Sequence, residues 1–419
     1  MTPEVKERIE QIRHGNVPEG YKKTKAGILP ADWTVCTIGD CLERVERPVD
    51  VQADEMYTQI GIRSHGKGLF YKEPVTGASL GNKAVFWIEP DCFVLNIVFA
   101  WEQAIGKTTQ NEVGMIGSHR FPMYRPIDGR VDVDYLITYM LTKRGKDILE
   151  AASPGGAGRN RTLGQDRFLK SKIILPSPDE QRRIAEVITT QDKVIELKEK
   201  LLLEKQLQKK YLMQQLLTGK KRLPGFDGEW KKVKLKKLLK ERKTYSPKGA
   251  EYPHVTLSTE GIYAKSERYD RDHLVKNDDK EYKITHRGDI CYNPANLKFG
   301  VICMNNFGDA IFSPIYVTFK VVGKVCPEFL AAYLMRWDFI NAVRKYEEGT
   351  VYERMAVKPE DFLKFEMMLP PYEEQVAIAE ILIVADREIE LLRQDLEQEK
   401  RKKTALMQLL LTGIVRVNV

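Results

Sequence analysis

Residues 175–219 read LPSPDEQRRIAEVITTQDKVIELKEKLLLEKQLQKKYLMQQLLTG. Residues 369–413 read LPPYEEQVAIAEILIVADREIELLRQDLEQEKRKKTALMQLLLTG. The two stretches align without a gap at a constant offset of 194 positions, and both contain Leu-Pro, Glu-Gln, Ile-Ala-Glu and a closing Leu-Leu-Thr-Gly. An internal repeat of this length defines the architecture of a chain before any single residue does.

Both copies are predicted to be long helices, because apolar residues recur in steps of three and four, as in the seam of a coiled coil. The first seam comprises Ile184, Ile188, Ile195, Leu202, Leu212 and Leu216, with polar Gln191, Lys198, Lys205 and Lys209 between them. The second comprises Ile378, Leu382, Ile389, Leu392, Leu396, Leu406 and Leu410. A helix of this length would span roughly 60 Å, which indicates a spacer.

The ends of the two helices also carry local signals. Ser177 followed by Pro178 favours a helix start, whereas Pro371 makes the start of the second copy weaker. Gly219 and Gly413 can adopt the left-handed conformation that ends a helix.

Composition limits the class of protein. A chain of 419 residues, 42% hydrophobic and 30% charged with a net charge of +8, suits two globular domains plus connecting elements. The six cysteines show no CxxC spacing and the six histidines no HxxxH spacing, so we expect no metal site and a reducing, cytoplasmic location. The longest apolar run, Cys92–Trp101, is too short to span a bilayer. The charged stretch Met1–Gly15 does not resemble a secretory signal.

The repeat predicts five segments: an N-terminal extension (1–28) with a short charged helix, a first domain (29–175), a first long helix (176–219), a second domain (220–369), and a second long helix with a tail (370–419). The domains begin with Leu-Pro segments leading to Trp33 and Trp230, which are 197 rather than 194 positions apart. Their ends match in register, but their interiors have diverged. Residues 311–322 are predicted to be a strand, and residues 136–150 and 329–345 to be helices. The fold class is therefore α+β, and periodicity leaves parallel and antiparallel helix pairing open.

No active site is predicted. Asn293-Pro294-Ala295-Asn296 resembles the adenine-binding loop of amino-methyltransferases, but its third and fourth residues differ and no glycine-rich cofactor turn accompanies it. Pro178-Asp179 with Glu196-Leu197-Lys198 has the letters of a nuclease motif, yet all five residues fall within one helix.

Contacts for a polyanion are more evident. Residues 230–243 contain eight basic side chains and one acidic one, which suits phosphate neutralisation or a solvated surface equally well. Loop side chains that could contact DNA are Arg63, Ser64, His65, Lys67, Arg120, Arg159, Asn160 and Arg161 in the first domain, and Ser258, Thr259, Asn293, Asn296, Lys298, Tyr352 and Arg354 in the second. Divergent loops at matched places in duplicated domains favour recognition of two different targets.

The duplicated LP…EQ…IAE opening of a long helix that ends in LLTG resembles the conserved regions of type I restriction-modification specificity subunits. The LP…W segments and Ser313-Pro314-Ile315-Tyr316 look like parts of the family's target-recognition domains. The resemblance covers nearly the whole chain from Leu29 onward. Asp32 precedes Trp33 where the family often has glycine, and Pro371 replaces a capping residue.

Because a whole domain separates the two helices, the second helix can return antiparallel to the first, and we expect this arrangement, with pseudo-two-fold symmetry. The resemblance implies two similar target-recognition domains separated by these two long coiled-coil helices. It implies a subunit without catalysis or a cofactor, in which each domain reads one half of a bipartite, asymmetric double-stranded DNA sequence. The helices would hold the halves apart and bind two methyltransferase subunits that modify adenine, and motor-nuclease subunits would join for cleavage. No membrane partner is implied. The alternative is a coiled-coil scaffold without sequence-specific DNA binding.

Overall fold

The protein is described by a computed structural model that covers residues 2–25, 27–81, 83–155, 161–247, 251–265, 281–348 and 356–417. It divides into two compact units. Unit 1 comprises residues 1–198 and 395–419, and unit 2 comprises residues 199–394. Each unit therefore contains one globular domain and a part of both long helices.

The helices are α1 Pro3–Arg13, α2 Gly77–Leu80, α3 Val133–Met140, α4 Lys143–Ala152, α5 Gln165–Lys170, α6 Pro178–Leu216, α7 Pro327–Leu334, α8 Trp337–Val343, α9 Pro359–Phe362 and α10 Tyr372–Leu410. The strands of unit 1 are β1 Tyr21–Thr24, β2 Gly27–Pro30, β3 Thr34–Thr37, β4 Leu42–Val45, β5 Met56–Tyr57, β6 Ile60–Ile62, β7 Leu69–Tyr71, β8 Val75–Thr76, β9 Val85–Trp87, β10 Phe93–Leu95, β11 Ile105–Lys107, β12 Ile116–Ser118, β13 Met123–Pro126 and β14 Lys172–Leu175. The strands of unit 2 are β15 Lys231–Lys234, β16 Leu239–Glu241, β17 Tyr245–Pro247, β18 Val255–Ser258, β19 Gly261–Ala264, β20 Glu281–Thr285, β21 Ile290–Tyr292, β22 Ile302–Met304, β23 Ala310–Phe312, β24 Val317–Val321, β25 Glu347–Glu348, β26 Ala356–Val357 and β27 Glu366–Leu369.

The central sheets of the two domains have the same topology. Unit 1 contains a four-stranded antiparallel sheet in the order β11-β10-β13-β4, and unit 2 contains its counterpart in the order β22-β21-β24-β16. Strand β3 pairs with β14, as β15 pairs with β27, and hairpin β6-β7 corresponds to β18-β19. The interiors therefore share a backbone scaffold although their residues differ.

A single turn accounts for the two offsets in the repeat. Strands β3, β4, β10 and β11 begin 197 positions before β15, β16, β21 and β22, and from β12 and β23 onward the corresponding elements begin 194 positions apart. Between these groups, the first domain has residues 108–115 where the second has only 305–309. The three extra residues accommodate a short 3-10 helix at Gln110–Glu112.

Each domain has a core that includes parts of the long helices. In unit 1, Trp33, Phe93, Tyr124 and Phe168 are buried in a cluster to which both long helices contribute side chains: Ile184, Ala185, Ile188, Leu410 and Leu411. The corresponding cluster of unit 2 has these members from the long helices: Leu216, Leu217, Ile378, Ala379 and Leu382. Burial of these apolar surfaces is the main force that fixes each domain to its helices.

The segments of α6 and α10 pair antiparallel within each unit. In unit 1, Lys198 Nζ lies 2.6 Å from Asp395 and 3.1 Å from Glu399, and Gln191 Nε2 donates to Glu399 at 2.7 Å. In unit 2, Lys205 lies 2.7 Å from Glu388, and Lys209 pairs with Asp386. The polar positions of the first seam thus bond to the second helix, and the predicted fold class is confirmed.

The hydrogen bonds from Gln191 and Lys198 stabilise the charged form of Glu399 and lower its pKa from 4.5 to about 2. The seam residues predicted for both helices are all buried or half-buried. Both helices end as predicted, since Gly219 and Gly413 each have a φ of +70°.

Three predicted elements were too long. Residues 136–150 and 329–345 each contain two helices, separated at Thr142 and Arg336. Thr142 caps α4 by accepting a hydrogen bond from the Gly145 amide at 3.1 Å, and the buried Arg336 donates to the Leu217 carbonyl at 2.9 Å. The predicted strand 311–322 is interrupted by a turn, in which the Tyr316 amide donates to the Ser313 carbonyl at 3.1 Å.

The N-terminal extension packs in unit 1. Its predicted helix is confirmed as α1, which is capped by Thr2. Arg8 donates to the Ile414 carbonyl at 2.9 Å, and the Tyr21 hydroxyl donates to the Gly413 carbonyl at 2.6 Å. The two ends of the chain are therefore hydrogen-bonded to each other.

Candidate nucleic-acid interface

A buried glutamate at the start of each long helix fixes the helix to a domain. Glu180 accepts hydrogen bonds from Trp33 Nε1 at 3.0 Å and from Arg416 Nε and Nη2 at 2.6 and 2.8 Å. Glu374 accepts the same set from Trp230 Nε1 at 3.1 Å and from Arg222 at 2.6 and 2.8 Å. We call each set of three residues a clasp, because it joins a helix start, a domain and the segment after a long helix.

Each arginine of a clasp follows one long helix and bonds to the start of the other. Arg222 and Arg416 are 194 positions apart, yet Arg222 lies in unit 2 and Arg416 in unit 1. Arg416 also pairs with Asp32 at 2.8 Å, which lowers the pKa of that carboxyl. The adjacent glutamines, Gln181 and Gln375, accept from the backbone amides of Asp132 and Cys326 at 2.8 and 2.9 Å. These bonds explain why Glu-Gln occurs in both copies.

The central sheet of each domain leads into a turn that we call the strand-end turn, residues 96–103 in the first domain and 293–300 in the second. Asn96 Oδ1 accepts from the Val98 amide at 3.0 Å, and Asn293 Oδ1 accepts from the amides of Ala295 and Asn296 at 3.1 and 3.3 Å. Each turn continues into a short 3-10 helix. The two turns are therefore structural equivalents.

Three of the predicted DNA-contacting segments of the first domain meet at its strand-end turn. The Ser64 hydroxyl donates to Glu102 at 2.9 Å, and the His65 amide donates to the Glu102 carbonyl at 2.8 Å. The Ile97 amide donates to the Arg120 carbonyl at 3.0 Å. The Arg161 guanidinium lies 5.5 Å from the centre of the Trp101 ring. Segments that are up to 97 positions apart in sequence thus form one surface.

The side chains of this surface differ in solvent exposure. Arg63, His65, Lys67 and Arg120 are exposed, whereas Ser64 and Arg161 are half-buried. Arg63 donates to the Leu69 carbonyl at 2.8 Å and lies over the Phe70 ring, so its hairpin holds it in place. The cations give the surface a positive rim that suits DNA phosphates and base edges.

In the second domain, Asn293, Asn296 and Lys298 lie on the strand-end turn. Asn293 is buried and its side-chain oxygen binds two backbone amides, so its visible role is to hold the turn. The amine of Lys298 lies 5.3 Å from the centre of the Phe299 ring. Ser258 and Thr259 occupy the tip of hairpin β18-β19, where Ser258 Oγ accepts from the Glu260 amide at 3.1 Å.

Arg159, Asn160, Tyr352 and Arg354 lie outside the described residues. The described residues that follow them return to the strand-end turns at matched places. The Leu163 amide donates to the Ile97 carbonyl at 2.8 Å, and the Val357 amide donates to the Pro294 carbonyl at 3.3 Å. Leu163 and Val357 are again 194 positions apart.

Two exposed aromatic side chains on the strand-end turns were not predicted from sequence. Phe99 is 41% exposed and Phe299 is 59% exposed. Aromatic rings at such positions can stack on bases or wedge between them. The two rings are not at equivalent positions, since the offset of 197 between the turns aligns Phe99 with Asn296 and Phe299 with Glu102.

The basic tract 230–243 is largely part of the framework of the second domain. It forms β15 and β16, and Leu235, Leu238 and Leu239 within it are buried. Arg242 makes two hydrogen bonds to Asp289, at 2.8 and 3.0 Å, and Lys232 lies 2.6 Å from Glu366. All seven of its lysines are exposed: Lys231, Lys232, Lys234, Lys236, Lys237, Lys240 and Lys243.

The two segments that resemble methyltransferase and nuclease motifs have structural roles. Asn293–Asn296 forms the second strand-end turn, and Asp179 and Glu196 lie on the single helix α6. Within the described part of the chain, no cluster of three or more potential metal ligands occurs. Nor do the described helices include one that is long and apolar enough to cross a bilayer.

Comparison with known proteins identifies the family. The family model described as the type I restriction modification DNA specificity domain matches the chain twice, at residues 30–205 and 227–400. These matches cover most of the chain, which therefore belongs to this family. It is the specificity subunit of a type I restriction-modification system, with two target-recognition domains.

Two curated relatives come from Methanocaldococcus jannaschii. The type I restriction enzyme MjaX specificity subunit is 25% identical over 437 residues, covering 95% of this chain and 97% of the relative. The MjaVIII specificity subunit is 24% identical over 429 residues, covering 95% and 96%. Both alignments therefore include both domains and both long helices.

Solved structures share the fold. The HsdS subunit from Thermoanaerobacter tengcongensis has a TM-score of 0.52 and 18% identity, covering 92% of this chain and 98% of that one. The type I restriction-modification S subunit from M. genitalium has a TM-score of 0.55 and 11% identity, covering 90% and 96%. At these identities the likeness concerns the fold alone.

Proposed function

We propose that each target-recognition domain reads one half of a bipartite, asymmetric double-stranded DNA sequence, through its strand-end turn and the loops around it. One observation carries this proposal: the two domains share a backbone while the residues around their strand-end turns differ. Arg63 to Lys67 form a basic segment in the first domain, where the second has Ser258, Thr259 and an acidic Glu260. Shared frameworks with different contact residues suit recognition of two different half-sites.

We further propose that the chain acts without catalysis of its own. Two adenine methyltransferase subunits would supply the chemistry, and motor-nuclease subunits would join them for cleavage. The helices provide apolar surface for partners, since Leu203, Leu207 and Leu391 are all more than half exposed. In this proposal the helices also set the distance between the half-sites. The complex works in the cytoplasm, where DNA is available.

The test is to map adenine methylation in a host that lacks such methylation. The full chain is expressed with its partner methyltransferase, which we expect the adjoining genes to encode, and N6-methyladenine is located by single-molecule sequencing. We expect one bipartite asymmetric motif. Exchanging residues 231–365 for the second domain of a relative should change one half of the motif and leave the other half unchanged.

Controls distinguish recognition from a scaffold role. The methyltransferase expressed alone, and the chain expressed alone, should each give no methylated motif. Methylation of the same motif without the chain would contradict the proposal. A domain exchange that changed the amount of methylation but neither half of the motif would support a scaffold instead.

A further inference from the structure

Two surface grooves occupy corresponding places in the two units. Groove 1, in unit 1, lies between the last turns of α10 and the turn from α3 to α4, and its volume is about 480 Å³. Groove 2, in unit 2, lies between the last turns of α6 and the turn from α7 to α8, and its volume is about 810 Å³. Both volumes are within the range of clefts that bind ligands.

The helix walls of the two grooves have three residue types in common at corresponding positions. Each presents a methionine, a glutamine and a threonine: Met407, Gln408 and Thr412 in groove 1, and Met213, Gln214 and Thr218 in groove 2. The threonine hydroxyls make the same hydrogen bond: Thr218 donates to the backbone carbonyl of Gln214, and Thr412 to that of Gln408, each at 2.6 Å. Gln214 and Gln408 are exposed, so packing between the long helices does not account for their presence in both copies.

The domain walls differ although their positions correspond. Leu141 and Lys143 line groove 1 where Met335 and Trp337 line groove 2. Trp337 is 54% exposed, and exposed tryptophans often dominate the energy of a protein contact. Three shared helix residues beside different domain walls favour one kind of occupant that binds twice with unequal affinity.

Charge indicates the chemistry of that occupant. Among the described residues that line groove 1, the charged ones are Lys143 and Arg144, and no carboxylate is present. The residues that line groove 2 include four cations, Lys209, Lys210, Lys220 and Arg336, and one carboxylate, Asp338. Lys209 pairs with Asp386 on α10, so the exposed Lys210 and Lys220 supply the positive charge that faces an occupant. Arg336 forms an ion pair with Asp338, which lowers the pKa of that carboxyl. Both grooves are therefore complementary to an acidic segment, and their methionines supply an adaptable apolar surface.

We propose that the two grooves bind the same acidic segment, with at least one apolar side chain, from two copies of one partner chain. The inference rests on the proposed function, in which that partner is the methyltransferase. The shared methionine, glutamine and threonine recognise the segment in both grooves. The domain walls set the affinity of each copy separately.

The test places a negative charge in each groove without changing side-chain size. Gln408→Glu and Gln214→Glu are made singly and together in the full chain, and binding of the methyltransferase is followed by native mass spectrometry and titration. Each single variant should weaken one of the two binding steps by at least about tenfold, so that complexes with one copy accumulate. The double variant should weaken both steps, and Trp337→Ala should weaken one step only.

Gln208→Glu and Gln398→Glu are matched controls, because both glutamines are exposed on the long helices and line neither groove. They should bind two copies as tightly as the unaltered chain. Equal binding by groove and control variants would overturn the inference, as would groove variants that changed only DNA binding or self-association of the chain. If the unaltered chain bound no methyltransferase, the proposed function would fall together with the inference.

Discussion

Replacing Arg416 with alanine should loosen the first target-recognition domain and leave the second intact. Arg416 makes two of the three hydrogen bonds that hold the buried Glu180 carboxylate in its clasp, and Trp33 makes the third. Without the guanidinium, a carboxylate with no exposed surface loses its counter-ion. Arg222→Ala should have the same effect on Glu374 in unit 2.

The magnitude follows from burial. Removing one partner of a buried ion pair costs about 3–5 kcal/mol. The lower end applies here, because the Arg416 side chain is 35% exposed and its removal admits water to Glu180. A loss of about 3 kcal/mol corresponds to an unfolded fraction of this domain about 150-fold larger.

Hydrogen exchange followed by mass spectrometry measures this effect region by region. Peptides that contain Trp33 or Ile184 should exchange faster in Arg416→Ala, and those that contain Trp230 or Ile378 should exchange faster in Arg222→Ala. Arg393→Ala is the control, because its ion pair with Glu390 is exposed and 3.9 Å long and contributes less than about 1 kcal/mol.

A double variant separates loss of charge pairing from loss of packing. Adding Glu180→Gln to Arg416→Ala removes the uncompensated charge while a side-chain carbonyl remains for Trp33, so part of the stability should return. If Arg416→Ala left exchange of the first domain unchanged, or accelerated exchange in both domains equally, the clasp would not have the local role described.

Three further outcomes are expected. The pKa of Glu399 is lowered in the folded chain, so the contribution of this carboxylate to stability is complete above its ordinary pKa of 4.5 and disappears as the pH falls toward 2. Glu399→Gln should therefore flatten the acid-induced fall in melting temperature over that interval, and an unchanged slope would contradict this. Arg161→Ala should cost about 1–3 kcal/mol at one base pair if the guanidinium binds a base edge; competition among single-base variants of the target measures this, and an equal loss on all of them would indicate a phosphate contact. Inserting seven residues after Lys205 and seven after Arg387 keeps the seam in phase and lengthens both helices by about 10 Å. The gap between the methylated half-sites should then widen by about three base pairs, and a changed half-site sequence would mean that the helices do more than set the spacing.

Features determined by neighbouring residues were predictable from sequence. The seam from Ile184 to Leu216 and the glycines at 219 and 413 gave the extent of the long helices, because periodicity and capping act over a few residues. Periodicity did not reveal the sense of the helix pair, since a heptad seam is the same in both directions. The sense depends on distant pairs such as Lys198 with Asp395.

The candidate interface was predicted only in part. Arg120 and Arg161 were chosen from loop composition, and the structure brings both to the first strand-end turn. Phe99 and Phe299 were missed, because an isolated phenylalanine in a turn has no periodicity that distinguishes an exposed ring from a buried one. The role of Glu180 was hidden for another reason: its partners Trp33 and Arg416 are 147 and 236 positions away.

Because of the clasps, the second domain can be completed before the first during synthesis, although the first domain is synthesised earlier. Unit 2 consists of one continuous stretch, 199–394, and can close as soon as that stretch has left the ribosome. Unit 1 needs residues 395–419 as well, including Arg416 and the core residues Leu410 and Leu411. At roughly 5–20 residues per second, the first domain waits roughly 10 to 45 seconds between emergence of its own sequence and arrival of its last parts. During this interval Glu180 has no arginine and part of the core around Trp33 is uncovered. The domain made first is therefore the one completed last, because its core needs residues that are synthesised after the whole of unit 2.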